Sequence, residues 1–446
     1  LSYGGGTLFF MKTVIMAGGK GTRIASVASD IPKPMIRILG KPILEYQIDC
    51  LVKNNLPDIL IVVGHLGHTI KNYFGDGSSF GCTISYYTET EPLGTAGALY
   101  KAQEQLPEDF ILLNGDIIFN INFKKMIDFH KSRRARATLA SHPNSHPYDS
   151  ALLVTDAEDR IIQWINKEEP RKYYKNLVNA GIHIISKKLL NAAPAQGEKT
   201  DLDRDILKPL LSSGTIFSYK TPEYIKDMGT PDRYEQVNID VKNGMVAKKN
   251  LFEPQKAVFL DRDGTINKMK GFISKPEDFE LIEGVPEAIS RINRNGYLAI
   301  VITNQPVIAR GEITLEELEI IHNKMETDLG KSGAYLDDIF YCPHHPDSGF
   351  PGERPEYKID CECRKPKPGL ILRAAEKYNI DLTQSYMVGD DVRDIKAAIA
   401  AGCKPILLSA EFPQNTEIFD KHTVLTYQSL NKFISGKFGM ENGLGV

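Results

Sequence analysis

The chain lacks a strong charge of either sign, a long apolar run and a secretory start. Its 446 residues carry a formal net charge of -3 at pH 7, which gives no hint of a polyanionic partner or an anionic membrane surface. No apolar stretch approaches the roughly 18–20 residues of a bilayer span. Residues 1–10, LSYGGGTLFF, have neither the basic start nor the cleavage pattern of a signal peptide. The expectation is that translation begins at Met11, which opens the first strand, and that the preceding residues are an addition. Short internal repeats and low-complexity tracts are absent as well. These absences point to a cytoplasmic chain with small-molecule ligands, without nucleic-acid or membrane partners, and leave a homo-oligomer open.

Cysteine is scarce: Cys50, Cys82, Cys342, Cys361, Cys363 and Cys403. Three of them fall within residues 342–363. In a large chain without a secretion signal this crowding reads as metal binding, not a disulfide framework. The three scattered cysteines read as small buried hydrophobes.

What is present is an ordinary globular composition, 42% hydrophobic and 25% charged, in a chain too long for one core. Short apolar runs alternate with helical patterns. KTVIM (12–16), DILIVVGH (58–65), TISYYT (83–88) and DFILLNGD (109–116) read as strands, with helices over 42–55 and 123–133. KAVFLD (256–261), YLAIVITN (297–304), SYMVGD (385–390) and KPILLS (404–409) repeat the alternation. The expected class is α/β: two doubly wound domains with mainly parallel sheets covered on both faces. The polar, aperiodic stretch 241–255 marks the seam, giving a first domain over 11–245, a linker over 246–255 and a second domain over 256–435. Such sheets bind ligands beyond the carboxyl ends of their strands, where Asp116, Asp261, Asn304 and Asp390 fall.

AGGKGTR supplies Gly18, Gly19 and Gly21 for close backbone approach to a ligand, then Thr22 and Arg23, whose guanidinium suits phosphate. It is neither a Walker A loop nor a GxGxxG fingerprint. IPKP adds Lys33, EPLGTAGAL adds Gly94, Thr95 and Gly97, NGD adds Asp116 and KDMGT adds Asp227. In this order, together with NAGIHIIS (179–186), they resemble the sugar-1-phosphate nucleotidylyltransferases, a Rossmann-like, GT-A-like family, over roughly residues 11–245. The resemblance implies that Gly18–Arg23 cradle a triphosphate, with Arg23 in a catalytic role, and that Gly94–Gly97 lie beside the base. It also implies that Asp116 and Asp227 hold Mg²⁺, and that Lys167 and Asn179 face the sugar phosphate. Asn166 stands where family members often carry Glu. HLGH at 65–68 fits the HxGH motif of another nucleotidyltransferase class but follows the second strand, so His65 and His68 read as loop and helix-start residues.

In the second half, FLDRDGTIN places Asp261 and Asp263 at a strand end. VITNQ adds Thr303, Asn304 and Gln305; CRKPKPG adds Arg364 and Lys365; MVGDDVRD adds Asp390 and Asp391. This set resembles the haloacid-dehalogenase-type phosphatases over roughly residues 255–435. The resemblance implies Asp261 as nucleophile, Asp263 as general acid and base, Thr303 and Lys365 on the phosphoryl oxygens, and Mg²⁺ between Asp261, Asp390 and the backbone carbonyl of Asp263. Two carboxylates facing a phosphate need such cationic help. CPHH and CEC give Cys342, His344, Cys361 and Cys363, four N/S ligands that fill a tetrahedral zinc and leave no open position, hence a structural role. His345 competes with His344, which the family pattern favours.

Zinc-loop phosphatases of this kind include heptose 1,7-bisphosphate and histidinol-phosphate phosphatases, and TNQPVIARGE with CRKPKPG looks more like the heptose group. Removing a 7-phosphate would leave a sugar 1-phosphate for the first half to activate. SDIPKP and ETEPLGTAGAL look like guanylyltransferases, implying GTP, with Glu89 or Glu91 as a carboxylate able to accept both guanine N–H donors. Two alternatives remain: a mannose- or glucose-1-phosphate nucleotidylyltransferase fused to a histidinol-phosphate-type phosphatase, and a chain in which one half only binds a sugar nucleotide.

Overall fold

The computed structural model describes residues 11–19, 31–192, 199–349, 351–411, 416–419 and 422–439. The chain divides into two compact units. The first comprises residues up to 142, 153–165 and 179–250; the second comprises 143–152, 166–178 and everything from 251.

The first unit is built on a mixed nine-stranded sheet. Its parallel centre consists of β1 (Thr13–Met16), β2 (Asp58–Val63), β3 (Thr83–Thr88) and β4 (Asp109–Asn114), with β1 between β2 and β4 and β3 outside β2. Ile15, Ile61 and Leu113 stand in register on one face and belong to one core. Val14, Leu60 and Leu112 on the other face are buried too. Burial on both faces is why these strands read as continuous apolar runs instead of alternating ones. Helix α1 (Ile43–Lys53) joins that core through Leu44, Ile48 and Leu51, a single helical stripe. Beyond β4 the chain turns into β5 (Ile117–Asn120), which pairs antiparallel with β6 (Tyr224–Asp227).

The second unit carries a seven-stranded sheet. Its strands β7 (Ala257–Leu260), β8 (Leu298–Asn304), β9 (Asp338–Cys342), β10 (Tyr386–Gly389) and β11 (Lys404–Leu408) are all parallel, in the order β9-β8-β7-β10-β11. The alternation of β7 divides cleanly: Val258 and Leu260 join one core, Ala257 and Phe259 the other. Because the strands are parallel, Asp261, Asn304, Cys342 and Asp390 all emerge at one edge.

The second unit also takes in residues 143–152 and 166–178. The backbone N–H of Tyr174 donates to Thr327 Oγ1 at 2.9 Å, and that of Asn176 donates to Glu326 Oε2 at 3.2 Å. Both acceptors lie on helix α2 (Leu315–Gly330), which starts with a Thr314–Glu317 capping box. The segment read as a linker is fixed at its end: Gln255 is buried and exchanges backbone hydrogen bonds with Asn379 and Asp381.

Candidate functional site

The first cluster lies beyond the carboxyl ends of β1, β2, β3 and β4. Gly18 follows β1, and a Cβ there would lie 2.3 Å from Glu89 Oε2, so a side chain at this position would have to displace the carboxylate just beyond β3. Glu89 is half-buried, accepts from the Leu93 N–H at 3.2 Å, and is pushed up from the ordinary carboxylate range by burial. Glu91 is exposed. Gly19 is exposed with open space around it, whereas Gly21, Thr22 and Arg23 lie outside the described residues.

Lys33 follows a short extended entry at Pro32, and its Nζ lies 3.2 Å from Asp116 Oδ2. Asp227 is brought to Asp116 by the β5–β6 ladder: it is in register with Ile117, and the Met228 N–H donates to the Asp116 carbonyl at 3.3 Å. Arg233 Nη1 holds both oxygens of Asp227, at 2.8 and 2.9 Å. Asp116, just before β5, and Asp227, at the end of β6, thus each stand beside a fixed cation.

A second set gathers around Thr95, whose hydroxyl donates to Asp201 and accepts from the Leu202 N–H at 2.7 Å. The N–H groups of Ala96 and Gly97 go to the Thr200 carbonyl. Asn179 donates to Asp203 Oδ2 at 3.3 Å and lies 3.1 Å from the buried ring of His183. Burial, with Asp201 nearby, pushes Asp203 up to about 7. Sequence reading passed over Asp203, because an acid in a polar run reads as surface; its burial is tertiary. Lys167 belongs to the 166–178 excursion, is exposed and lies 3.7 Å from Glu168. His65 is exposed in a loop and His68 is exposed in the first turn of the helix over 67–74.

The second cluster surrounds a cavity of about 310 Å³ lined by Asp261, Asp263, Thr303, Asn304, Lys365 and Asp390 among others. Lys365 is almost wholly buried, and its Nζ lies 2.6 Å from Asp261, 2.6 Å from Asp394 and 2.8 Å from the Ile302 carbonyl. Burial alone would lower its pKa, but the two acids outweigh that and keep it protonated. Asp261 is pushed up to about 6, chiefly by burial, against the pull of Lys365. Burial and the Asp261 charge likewise push Asp390 up to about 6. Crowded, buried carboxylates of this kind are relieved by a divalent cation.

Gly264 shows how tightly the acids are set. It has φ +84°, and a Cβ there would lie 1.9 Å from Asp390 Oδ2. Asn304 clamps the backbone of Lys365, accepting from its N–H and donating to its carbonyl, both at 3.0 Å. Gln305 donates to Thr303 Oγ1 and to Asp263 Oδ2. Asp391 lines the cavity but spends its oxygens on the Arg393 N–H and guanidinium, capping helix α3 (Val392–Ala401).

Asp394 was missed in the sequence. It is 1% exposed, accepts a hydrogen bond from the Asp391 N–H and pairs with Lys365. The available signal was the D-x-x-D spacing of an N-cap and its N3 partner. Asp261, Asp390 and Asp394 each offer an oxygen within 4.8 Å of the others.

Cys342, His344, Cys361 and Cys363 also converge, each with a ligand atom within 4.8 Å of the rest. The sulfurs stand 3.1–3.5 Å apart, and His344 Nδ1 is 3.3 Å from Cys363. These separations suit four soft donors around one tetrahedral ion. His345 faces elsewhere: it accepts from the Asp347 N–H and lines the cavity. Arg364 donates to the His344 carbonyl at 3.1 Å, tying the cluster to the segment that carries Lys365. Among the described residues no helix is long and apolar enough to cross a membrane.

Comparison with known proteins agrees with this division. Residues 12–244 match the nucleotidyl transferase family, and residues 362–426 match the HAD-hydrolase-like family. The D-glycero-beta-D-manno-heptose-1,7-bisphosphate 7-phosphatase of Photorhabdus laumondii is 44% identical over 163 residues, covering 36% of this chain and 84% of that protein. The enzyme of the same name from Escherichia coli K12 is 43% identical over 145 residues, covering 32% of this chain and 74% of its own length. The crystal structure of HddC from Yersinia pseudotuberculosis is 27% identical, with a TM-score of 0.46, covering 52% of this chain and 100% of that one. The chain therefore belongs to the nucleotidyl transferase family through its first half and, through its second, to the HAD-like phosphatase family of those 7-phosphatases, joining a transferase and a hydrolase in one polypeptide.

Proposed function

We propose that the chain carries out two consecutive steps in making a nucleotide-activated heptose for surface glycans such as lipopolysaccharide or S-layer glycans. The second unit removes the 7-phosphate of D-glycero-D-manno-heptose 1,7-bisphosphate. The first transfers GMP from GTP to the resulting heptose 1-phosphate and releases pyrophosphate. Both steps use soluble phosphorylated metabolites, which places the chain in the cytoplasm. The observation that carries the reading is the single cavity in which Asp261, Thr303, Lys365 and Asp390 meet. The relatedness of the second unit to those 7-phosphatases supports this choice of substrate.

In the phosphatase step an Asp261 oxygen attacks phosphorus as the bond to the sugar oxygen breaks, and Asp263 gives that oxygen a proton. Water then attacks the aspartyl-phosphate, Asp263 takes its proton, and the bond to Asp261 breaks to release inorganic phosphate. Lys365 and Thr303 neutralise and hold the phosphoryl oxygens throughout. Asp261, Asp390 and the Asp263 carbonyl would hold Mg²⁺, which supplies charge neutralisation at the phosphoryl group.

In the transferase step Gly18, Gly19, Gly21, Thr22 and Arg23 receive the triphosphate, and Lys33 stands beside the α-phosphate. Asp116 and Asp227 would hold the second Mg²⁺ and Asn179 binds the sugar. Gly94 and Thr95 shape the wall beside the base, and Glu89 reads guanine. Cys342, His344, Cys361 and Cys363 would hold a zinc with no open position, which would pin the loop they close.

The test is separation of the two activities in one chain. Asp261→Asn abolishes phosphate release from heptose 1,7-bisphosphate and leaves pyrophosphate release from heptose 1-phosphate and GTP intact; Asp116→Ala does the reverse. Loss of both activities in either folded variant would refute two independent sites. Equal use of ATP and GTP by the unaltered chain would refute the guanylyl assignment. Assaying both anomers decides which heptose is consumed.

A further inference from the structure

Between Asp261 and Asp263 stands Arg262, a full-length arginine with 0% exposure. Burying a guanidinium is costly unless it is paired, and an apolar side chain would fill such a position without that cost. The carboxylate that Arg262 pairs with is Asp263. Its Nε and Nη2 lie 3.2 and 2.9 Å from Asp263 Oδ1, and Nη2 lies 2.8 Å from Oδ2. Two further donors complete the hold: Asn267 Nδ2 at 3.0 Å from Oδ1 and Gln305 Nε2 at 3.0 Å from Oδ2.

The far side of Arg262 is braced as well. Nη1 lies 3.5 Å from Nε2 of His322 on α2, a ring that is itself buried and stands against Tyr341. Burial and the Arg262 charge push the pKa of His322 well below its ordinary value, so the ring is neutral and can accept from the guanidinium. Asp263 is thus fixed through both oxygens, and the group that contributes most of that hold is itself immobilised from behind.

We propose that Arg262 is a positioning residue for phosphoryl transfer: it fixes the Asp263 carboxyl group at the angle from which a proton passes to the leaving sugar oxygen. The proposal rests on the acid–base reading of Asp263 given above. Lysine would bring the charge without the fork, so it substitutes only in part. A positioning role also makes the consequence depend on the leaving group. An alkoxide must be protonated as it departs, whereas nitrophenolate leaves unaided. Loss of Arg262 therefore falls on the sugar phosphate and spares the first turnover of an aryl phosphate.

The experiment compares Arg262→Met and Arg262→Lys in the full-length chain, with the transferase activity of the same preparation as a control for folding. With heptose 1,7-bisphosphate, Arg262→Met lowers kcat by about 100-fold, the scale of general acid–base assistance, with little change in KM. Arg262→Lys falls between it and the unaltered chain. With p-nitrophenyl phosphate the first-turnover burst of nitrophenolate survives in both. In a double-mutant cycle, adding Arg262→Met to Asp263→Asn costs nothing further. Equal losses on both substrates, or a full additional loss in the Asp263→Asn background, would show that Arg262 only supports the fold and would overturn the proposal. So would an unimpaired Arg262→Met chain in which Asp263→Asn is impaired. If Asp263→Asn itself hydrolyses the sugar phosphate normally, the acid–base reading fails, a different result from failure of the positioning role.

Discussion

The ammonium of Lys365 lies 2.6 Å from a carboxylate oxygen of Asp261, with both groups withdrawn from solvent. Asp394 holds the same ammonium from another side, also at 2.6 Å. The lysine thus balances two acids before any phosphate arrives.

Replacing Lys365 by Met removes the fixed positive charge that faces the phosphoryl oxygens. Phosphate release falls by about 10²–10³-fold in kcat. The buried acids lose their partner as well, which destabilises the second unit by about 3–5 kcal/mol unless a divalent cation is added. Steady-state kinetics and urea unfolding with and without Mg²⁺ check both outcomes, and pyrophosphate release is expected to be unchanged.

Glu89 is packed against Gly18, whereas Glu91 is exposed. Glu89→Gln therefore shrinks the preference for GTP over ATP in kcat/KM by about tenfold, the scale of one charge-assisted hydrogen bond. Glu91→Gln leaves the preference as it was. An unchanged preference in Glu89→Gln would remove this acid from base reading.

Elemental analysis of the full chain is expected to find about one zinc, matching the one four-donor Cys/His cluster among the described residues. Cys361→Ser, or prolonged chelation, lowers the unfolding temperature of the second unit and weakens phosphatase activity through the segment that carries Arg364 and Lys365. Differential scanning calorimetry resolves this from the first unit, whose transition stays in place. Full phosphatase activity in a zinc-free chain would rule the role out.

Asp203 has a folded-state pKa raised from 3.8 to about 7. A raised carboxyl contributes stability that is present below its unfolded pKa and is lost as pH rises through its folded value. Between pH 4 and pH 7 the first unit therefore loses stability relative to an Asp203→Asn chain, by at most about 1.4 kcal/mol per pH unit. The comparison cancels the opposite titration of buried His183, held down to about 4 by burial. Urea midpoints for both chains across this pH range give the slope, and parallel curves would remove the buried-acid assignment.

Much of the architecture was legible because the chemistry is local. The strands over 13–16, 58–63, 83–88, 109–114, 257–260, 298–304 and 386–389 announce themselves as apolar runs, since a parallel sheet covered on both faces needs nothing else. Asp261, Thr303 and Asp390 could be named in advance because each sits in a short motif at a strand end, and parallel pairing carries those ends to one edge; Lys365 sits in an equally short motif, CRKPKPG, on a turn before the helix over 369–378. The C-x-H and C-x-C pairs were visible in the same way.

What the sequence could not show depends on burial and on contacts distant along the chain. Asp394, Asp203 and Arg262 are charged residues in polar stretches, indistinguishable there from solvated surface, and only packing buries Asp394 and Arg262 and half-buries Asp203. The choice of His344 over His345 turns on which ring the loop aims at the three sulfurs. Glu89 differs from Glu91 through Gly18, more than sixty residues away in sequence and 2.3 Å away as a Cβ contact. The second unit takes in residues 143–152 and 166–178 because Thr327 and Glu326 offer acceptors to backbone N–H groups some 150 positions earlier. Sequence by itself determined which side chains could do chemistry and at which strand ends they stand. The tertiary structure alone decided which charges are buried together, because desolvation and pairing are properties of the space around a residue and not of its neighbours in the chain.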